Sequence, residues 1–298
     1  MSVVASAVDP RVKSVLVATD FSAASQTALR HALAIARHYG AKFYLAHVVS
    51  SLAIALAGPD AMNAATDAAR RDSRYLENQL LESGALKGLR YEVIVRRGDV
   101  WGELSKVISQ EGVDVVVTGT RGRRGVRKLL LGSVAEQIFR CADCPVVTAG
   151  PSSYQESRVD DVLPNRTYLF PTNFDEASLG ALPQAIYYAN QFRAKLVLLH
   201  IVRTPPAPSS SLGATTLQQL QELTRGITLA VRPESVVDFC PSGPVSEKIL
   251  EVAEKLRVDL IIMGLRRTTY VDTASHMPWA TAYEVVCAAG CPVLTFRR

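Results

Sequence analysis

The sequence has no long apolar run, few cysteines and no recognisable export signal. Its longest apolar stretches, such as Ala53–Ala57 and Leu129–Leu131, are far shorter than the roughly 20 residues that a membrane helix needs. The five cysteines are odd in number and follow no regular spacing, unlike those of a secreted disulfide scaffold. The first ten residues have neither the basic nor the apolar region of a signal peptide. We therefore expect a cytoplasmic protein with no membrane partner.

Signatures of several enzyme and binding classes are absent as well. The sequence contains no P-loop (GxxxxGKS/T), no GxSxG nucleophile elbow and no HExxH zinc motif. A net charge of +5 is mild for 298 residues and predicts no nucleic-acid partner. The basic stretch Arg121–Lys128 also lacks the aromatic residues on which bases stack. Cys141 and Cys144 close a predicted helix, whereas a redox C-x-x-C pair opens one, so we interpret them as packing residues.

What the sequence does contain is an internal repeat, which is the first feature that decides a fold. Val15–Val49 aligns with Tyr168–Val202 at a shift of 153 residues, without a gap and with many identities. Two later blocks repeat in the same order: Gly98–Gly119 with Gly243–Gly264, and Cys144–Thr148 with Cys291–Thr295. Three ordered blocks with small changes of shift indicate a duplicated domain whose loops differ in length.

Within each copy, short β-branched runs alternate with Ala- and Leu-rich helical segments. The first copy predicts strands at 14–18, 42–49, 90–96, 114–118 and 145–149. It predicts helices from 22 or 23 to 39 and at 61–83, 100–111 and 133–141. Gly40 is predicted as a helix C-cap. Helical crossovers between buried strands give an α/β fold of two tandem, doubly wound parallel domains. We place the domains at 1–150 and 166–298, with a linker at 151–165 and a loop at Arg203–Thr216.

A glycine-rich segment after the fourth strand of the first copy has the features of a phosphate-binding loop. Gly119, Gly122 and Gly132 lie between that strand and a helix, and the free N–H groups at a helix start favour an anion. Arg121 and its basic neighbours would suit a polyphosphate, although a solvated basic loop is an alternative. Ser133 begins an S-x-x-E pattern, which predicts a capping box. The glycines alone could equally form a structural turn.

Polar and apolar residues after the first two strands point to the same edge of the sheet. Asp20 could accept hydrogen bonds from ribose hydroxyls or reach a metal ion, but Asp is also a favoured helix N-cap. Val48 or Val49 could pack on a flat base while its backbone reads the edge of the base. His47 recurs as His200, and we interpret it as a structural hydrogen-bonding residue rather than a catalyst.

The G-x2-G-x9-G-S pattern from Gly119 to Ser133, the Thr-Asp-Phe-Ser start at Thr19 and the closing Cys-Pro-Val-Val at Cys144 resemble the universal stress protein family. The resemblance covers both copies, and in ATP-binding members it implies a five-stranded parallel sheet of order 3-2-1-4-5. It implies ATP, with or without Mg²⁺, bound in the first copy, with no catalytic residue and no metal ligand assigned. The residues that it places around the nucleotide are Ala18, Thr19, Asp20, Val48, Thr118, Gly119, Arg121, Gly122, Gly132, Ser133 and Val134.

The second copy departs from this pattern. Asn173 replaces the acidic residue of the first copy, and Arg267 replaces the second glycine of the loop. No glycine occurs from Leu265 to Ala289, so no phosphate cradle is predicted, although Thr281 begins another capping-box pattern. We expect this copy to be a structural partner, or to bind a different ligand near Arg266, Arg267 and His276.

Three functions are compatible with these observations. The favoured one is an ATP-binding regulatory protein of the stress response, for which the nucleotide is a ligand or switch and is hydrolysed slowly at most. An ATP-consuming hydrolase or transferase is an alternative, as is a protein-interaction scaffold that needs no nucleotide. The resemblance further implies that the last strands, 145–149 and 292–296, pair as an intramolecular pseudo-dimer. It also allows a homodimer and a protein partner whose identity the sequence does not give.

Overall fold

The computed structural model divides the chain into two compact units. It describes residues 12–51, 59–120, 131–150, 166–203, 212–225, 227, 229–240, 242–266 and 280–297. One unit, the first domain, is formed by Arg11–Asp160, and the other, the second domain, contains Asp161–Arg298. The linker predicted at 151–165 lies outside the described residues.

Strands and helices alternate along the described part of the first domain. Its elements are β1 (Ser14–Ala18), α1 (Ala23–Tyr39), β2 (Lys42–Ser50), α2 (Pro59–Glu82), β3 (Tyr91–Gly98), α3 (Val100–Gln110), β4 (Val115–Gly119), α4 (Ser133–Cys141) and β5 (Val146–Ala149). The strands are parallel, in the order β3-β2-β1-β4-β5. The predicted elements are confirmed, and α1 ends at Gly40 in the left-handed conformation (φ 62°) that a glycine C-cap provides.

The second domain repeats this arrangement. Its elements are β6 (Thr167–Pro171), α5 (Glu176–Gln191), β7 (Lys195–Val202), α6 (Leu212–Leu223), β8 (Glu234–Phe239), α7 (Val245–Lys255), β9 (Leu260–Leu265), α8 (Ala280–Ala288) and β10 (Val293–Arg297). The parallel order β8-β7-β6-β9-β10 is again 3-2-1-4-5. The loop predicted at Arg203–Thr216 is wrong at its end, because α6 already begins at Leu212; residues 204–211 lie outside the described part.

Each sheet is covered on one face by a helix with a stripe of small residues. In α1 the stripe is Ala24, Ala28, Ala32 and Ala36, and in α5 it is Ala177, Ala181, Ala185 and Ala189, all at most 5% exposed. A spacing of four residues keeps these side chains on one helix face, and their small size lets the helix lie close to the strands. Both repeats therefore build the centre of the domain in the same way.

The other face of the first sheet is covered by α3 and α4. Leu104 of α3 and Ile138 of α4 pack with Leu16, Tyr44 and Val116 of the strands in one buried cluster. Both helices begin at the carboxyl edge of the sheet, directly after β3 and in the connection that leaves β4, so their first turns border this edge. No helix among the described residues is long and apolar enough to cross a membrane.

Candidate functional site

The carboxyl ends of β1 and β4 lie side by side at the centre of the first sheet. Val17 pairs with Val117 in the parallel register, so Ala18 comes next to Thr118. The chain continues from β1 towards β2 and β3 on one side, and from β4 towards β5 on the other. Connections that leave in opposite directions open the crevice in which such sheets bind ligands. Ala18 and Thr118 are both buried, so they form the floor of this crevice.

Thr19 holds the turn that follows β1. Its backbone N–H donates to the carbonyl of Ala46 (2.9 Å), and its hydroxyl donates to Ser25 Oγ (3.1 Å) while accepting from the N–H of Phe21 (3.0 Å). His47 Nδ1 donates to the Thr19 carbonyl (2.7 Å), which confirms the structural interpretation of this histidine. Thr19 is 8% exposed and its polar groups are used within the protein, so its part in a ligand site is to fix the position of the next residue.

Asp20 is that next residue, and it is not the helix N-cap. Its Oδ1 accepts from the N–H of Ser22 (3.0 Å), a local Asx turn. Ser22 caps α1 instead, because its hydroxyl accepts from the N–H of Ser25 (3.3 Å). The N-cap alternative for Asp20 is therefore wrong. Asp20 is half-buried and follows β1 directly at the carboxyl edge of the sheet.

Gly119 is needed by the packing of α1. A Cβ on Gly119 would stand 2.6 Å from the carbonyl carbon and oxygen of Ala24, closer than any real Cβ contact. In the second domain a Cβ on Gly264 would meet the carbonyl carbon of Ala177 at 2.6 Å. Because the glycine persists in both domains together with the alanine stripe, helix packing explains it without a ligand.

The start of α4 differs from the predicted capping box. The N-cap is Gly132, which offers no side chain to the helix, and Ser133 is the first helical residue. Gly132 is held by its own N–H, which donates to the carbonyl of Thr120 (2.9 Å) just beyond β4. The first N–H groups of an α-helix have no partner within the helix. Gly132, as the N-cap of α4, has no side chain that could cover them, no cap bond to them occurs among the described residues, and the exposed Ser133 lies next to them.

Apolar residues also border the carboxyl edge of the sheet. Val48 at the end of β2 and Val134 in the first turn of α4 are half-buried and pack on the cluster that includes Ala18. Trp101, in the first turn of α3, packs on the same cluster and escaped prediction. A signal existed in the repeat, since Trp101 stands where the second copy has the small Ser246.

The same edge of the second domain carries a different set of charges. Asn173 stands at the position of Asp20 and keeps the turn, because its Oδ1 accepts from the N–H of Asp175 (3.1 Å). Asp175 caps α5 by accepting from the N–H of Ser178 (2.8 Å). Nε and Nη2 of Arg266 each lie 3.1 Å from Asp175 Oδ2. The arginine that corresponds to Arg121 is thus already paired with a carboxylate.

The ionisation of Asp175 follows from these contacts. Burial by itself would raise the pKa of its carboxyl. The hydrogen bonds from Ser178 and Asn173 and the charge of Arg266 outweigh burial and hold the pKa below its ordinary value. The ion pair is therefore intact at neutral pH.

The capping box predicted at Thr281 is also wrong. Thr281 lies inside α8, which begins at Ala280. Glu284 does not reach back to it and instead accepts a hydrogen bond from the hydroxyl of Ser246, a buried residue in the first turn of α7. The acidic residue of the pattern thus joins two helices.

Some predicted residues cannot be placed. Arg121 and Gly122, and in the second domain Arg267 and His276, lie outside the described residues. Within the described ranges no three His, Cys, Asp or Glu side chains gather into a group that could hold a metal ion. Burial raises the pKa of the Cys144 thiol to about 11, which fits a packing residue better than a reactive one.

Comparisons with known proteins give one family for both domains. The model described as the universal stress protein family matches residues 11–149 and 164–297. A universal stress protein of Methanocaldococcus jannaschii is 26% identical over 136 residues, covering 45% of this chain and 80% of the relative. One of Bacillus subtilis is 30% identical over 141 residues, covering 44% of this chain and 95% of the relative. Both relatives are similar to about half of the chain.

Solved structures resemble the whole chain. A universal stress protein from Archaeoglobus fulgidus has a TM-score of 0.70 at 18% identity, covering 97% of this chain and 99% of that one. A putative universal stress protein from Pseudomonas aeruginosa has a TM-score of 0.63 at 17% identity, covering 97% and 94%. At such identities the likeness shows the tandem fold and says nothing about the ligand.

Proposed function

The chain belongs to the universal stress protein family, and from that premise we propose that its first domain binds ATP and that the bound nucleotide serves as the ligand or switch of a regulatory protein of the stress response. The observation that carries the proposal is the start of α4, where Gly132 leaves the helix without a side-chain cap next to the crevice between β1 and β4. Open N–H groups at a helix start are a ready anion site.

Each end of the nucleotide has residues that suit it. The N–H groups around Ser133 and Val134 would bind phosphate oxygens, with Arg121 and Gly122 of the preceding loop as the remaining candidates. Asp20, which follows β1, would accept hydrogen bonds from ribose hydroxyls. Val48, Val134 and the floor at Ala18 would contact the base. Thr19, Thr118 and Gly119 shape the crevice through buried or packing contacts.

Regulation by binding fits this site better than a dedicated reaction. Mg²⁺ accompanying the nucleotide is usually held by one or two carboxylates and by phosphate oxygens, and Asp20 is the carboxylate that the crevice offers among the described residues. The residues proposed around the phosphates supply hydrogen bonds and positive charge, without a side chain placed to activate a nucleophile. Slow hydrolysis is the most that we expect.

We propose further that the second domain binds no ATP in this manner. The pair between Asp175 and Arg266 supports this proposal, because it consumes the positive charge at the matching edge and adds a carboxylate there. The negative charge of Asp175 beside Arg266 would repel a polyphosphate at this edge.

Nucleotide content tests both proposals. Heat or acid extraction of the purified full chain, followed by mass analysis, is expected to release an adenine nucleotide. Calorimetry on stripped protein is expected to give about one ATP per chain. If nothing adenylated is released and ATP neither binds in calorimetry nor raises the melting temperature, the proposed function fails. A stoichiometry near two would instead refute the asymmetry between the domains.

A further inference from the structure

Trp101 borders the proposed nucleotide site without belonging to the residues assigned to it above. It lies in the first turn of α3, which begins at the carboxyl edge of the sheet directly after β3. Helical side chains lean towards the N-terminus of their helix, so the indole leans towards this edge. The ring is half-buried and packs on the cluster shared by Val48 and Val134.

The opposite flank of α3 shows which way Trp101 faces. Glu103 lines a polar groove of about 660 Å³ with Arg96 and Arg97 of β3 and with residues of α2. At 3.6 residues per turn, Trp101 is about 200° around the helix from Glu103. Trp101 therefore lies on the flank away from the groove, which is the flank towards α4.

The second domain supports the same orientation independently. Ser246 holds the position of Trp101 in the repeat, and its hydroxyl donates to Glu284 of α8. Since α8 corresponds to α4, the residue at this position faces that helix in both domains. In the first domain the short polar contact is replaced by an indole ring at the mouth of the crevice.

We infer that the Trp101 ring forms the aromatic wall of the base end of the site, and that it gives the first domain a preference for a purine nucleotide over ligands that carry phosphates alone. This inference rests on the proposed nucleotide site. The indole supplies a flat surface on one side of the base, and Val48 and Val134 supply the aliphatic remainder. Stacking between a base and an aromatic side chain is strong, and it acts on a part of the nucleotide that an inorganic phosphate lacks.

Calorimetry with ATP and with inorganic tripolyphosphate distinguishes the contribution of the base to binding from that of the phosphates. Trp101→Ala is expected to weaken ATP binding about tenfold or more and to leave tripolyphosphate binding unchanged, because only ATP loses a stacked base. Trp101→Phe keeps a ring and is expected to recover most of the affinity. Ile108→Ala is the matched control, since Ile108 packs on the same cluster but lies two turns further from the edge.

Fluorescence gives a second measurement that does not depend on truncating the ring. The chain has two tryptophans, so Trp279→Phe leaves Trp101 as the only one. ATP is expected to quench its emission with the affinity found by calorimetry, whereas tripolyphosphate is not.

The outcomes separate this inference from the function beneath it. Equal ATP affinity of Trp101→Ala and the wild type, an equal loss for ATP and tripolyphosphate, or unchanged emission on ATP binding would each overturn the role of Trp101 and leave the proposed function standing. If the wild type binds no nucleotide, the proposed function fails and the role of Trp101 falls with it.

Discussion

The two domains share the packing contacts at their centre and differ in the residues at the carboxyl edge of the sheet. Both have the alanine stripe, the glycine that meets it and the histidine that donates to a turn carbonyl, His47 to Thr19 and His200 to Thr172. The differences at the carboxyl edge include Asp20 against Asn173, Ser22 against Asp175, and Trp101 against Ser246. The comparison teaches that the contacts common to both copies hold the fold, and that the contacts unique to the first copy are the candidates for function.

The largest expected effect comes from covering the start of α4. Gly132→Asp would place a carboxylate on the N–H groups that we assign to the phosphates, and losing two such bonds to a charged acceptor costs about 3 kcal/mol. ATP binding is therefore expected to fall at least about a hundredfold in calorimetry. The domain itself should gain a few tenths of a kcal/mol from the new cap, measured by urea unfolding. Unchanged ATP affinity would show that this helix start is not the phosphate site.

Gly119 and Gly264 test the contacts that the two domains share. Gly119→Ala and Gly264→Ala are each expected to destabilise their own domain by about 1–3 kcal/mol in urea unfolding without nucleotide, because the new methyl group overlaps the first helix. Gly213→Ala is the control: it lies in α6, where a Cβ has its nearest contact at 3.4 Å, so this change should be neutral or stabilising. If Gly119→Ala lost ATP binding at full stability, the packing role of Gly119 would be wrong.

Asp20→Asn gives the first domain the amide side chain that the second domain has at Asn173. The turn should persist, because Asn173 already forms it with its own Oδ1. Removing the charge weakens hydrogen bonds to the ribose, and we expect about a tenfold loss of ATP affinity, on the order of 1.4 kcal/mol, with no change in melting temperature. The reverse change, Asn173→Asp, is expected to create no site. Tight ATP binding by that variant would show that a single charge separates the domains.

The smallest effect concerns the charged cap of α5. The pKa of the Asp175 carboxyl is lower in the folded protein than in the unfolded chain. Its ionised form therefore stabilises the fold at a pH above the pKa of the unfolded chain, and this stabilisation is lost as the pH falls through the pKa of the folded protein. Asp175→Asn keeps a capping side chain, and its stability deficit in thermal unfolding should shrink as the pH drops below about 4. Ser22→Ala, at the same position of the first domain, removes an uncharged cap worth about 1 kcal/mol, and its deficit should stay constant with pH. A pH-independent deficit for Asp175→Asn would contradict the role of the Arg266 pair.

The sequence predicts local structure well where the signal is local. The β-branched runs, the alanine spacing of α1 and the glycine at its end each act within a few residues, and the structure confirms them. The predicted cap of α4 is displaced by one residue, because Gly and Ser both tolerate the N-cap conformation and the sequence pattern does not distinguish them.

Features that depend on distant parts of the chain are out of reach of the sequence pattern. Asp175 and Arg266 are 91 residues apart, so no window along the sequence contains both. The packing role of Gly119 depends on how closely α1 approaches β4, and the orientation of Trp101 depends on which helix lies beside it. Comparison of the two copies shows which of these positions differ and which are the same, but it does not explain the difference or the identity.

The alanine stripe and its glycine have a consequence for how such a chain can change over generations. Because the packing between the alanine stripe and this glycine is the same in both domains, a substitution at the carboxyl edge that leaves it untouched preserves the centre of the domain. Asp175, at the position where the first domain has Ser22, is a difference of this kind, and the alanine stripe of its helix remains buried. A duplicated chain can therefore carry a different set of charges at the edge of its second domain while both copies keep the same packing.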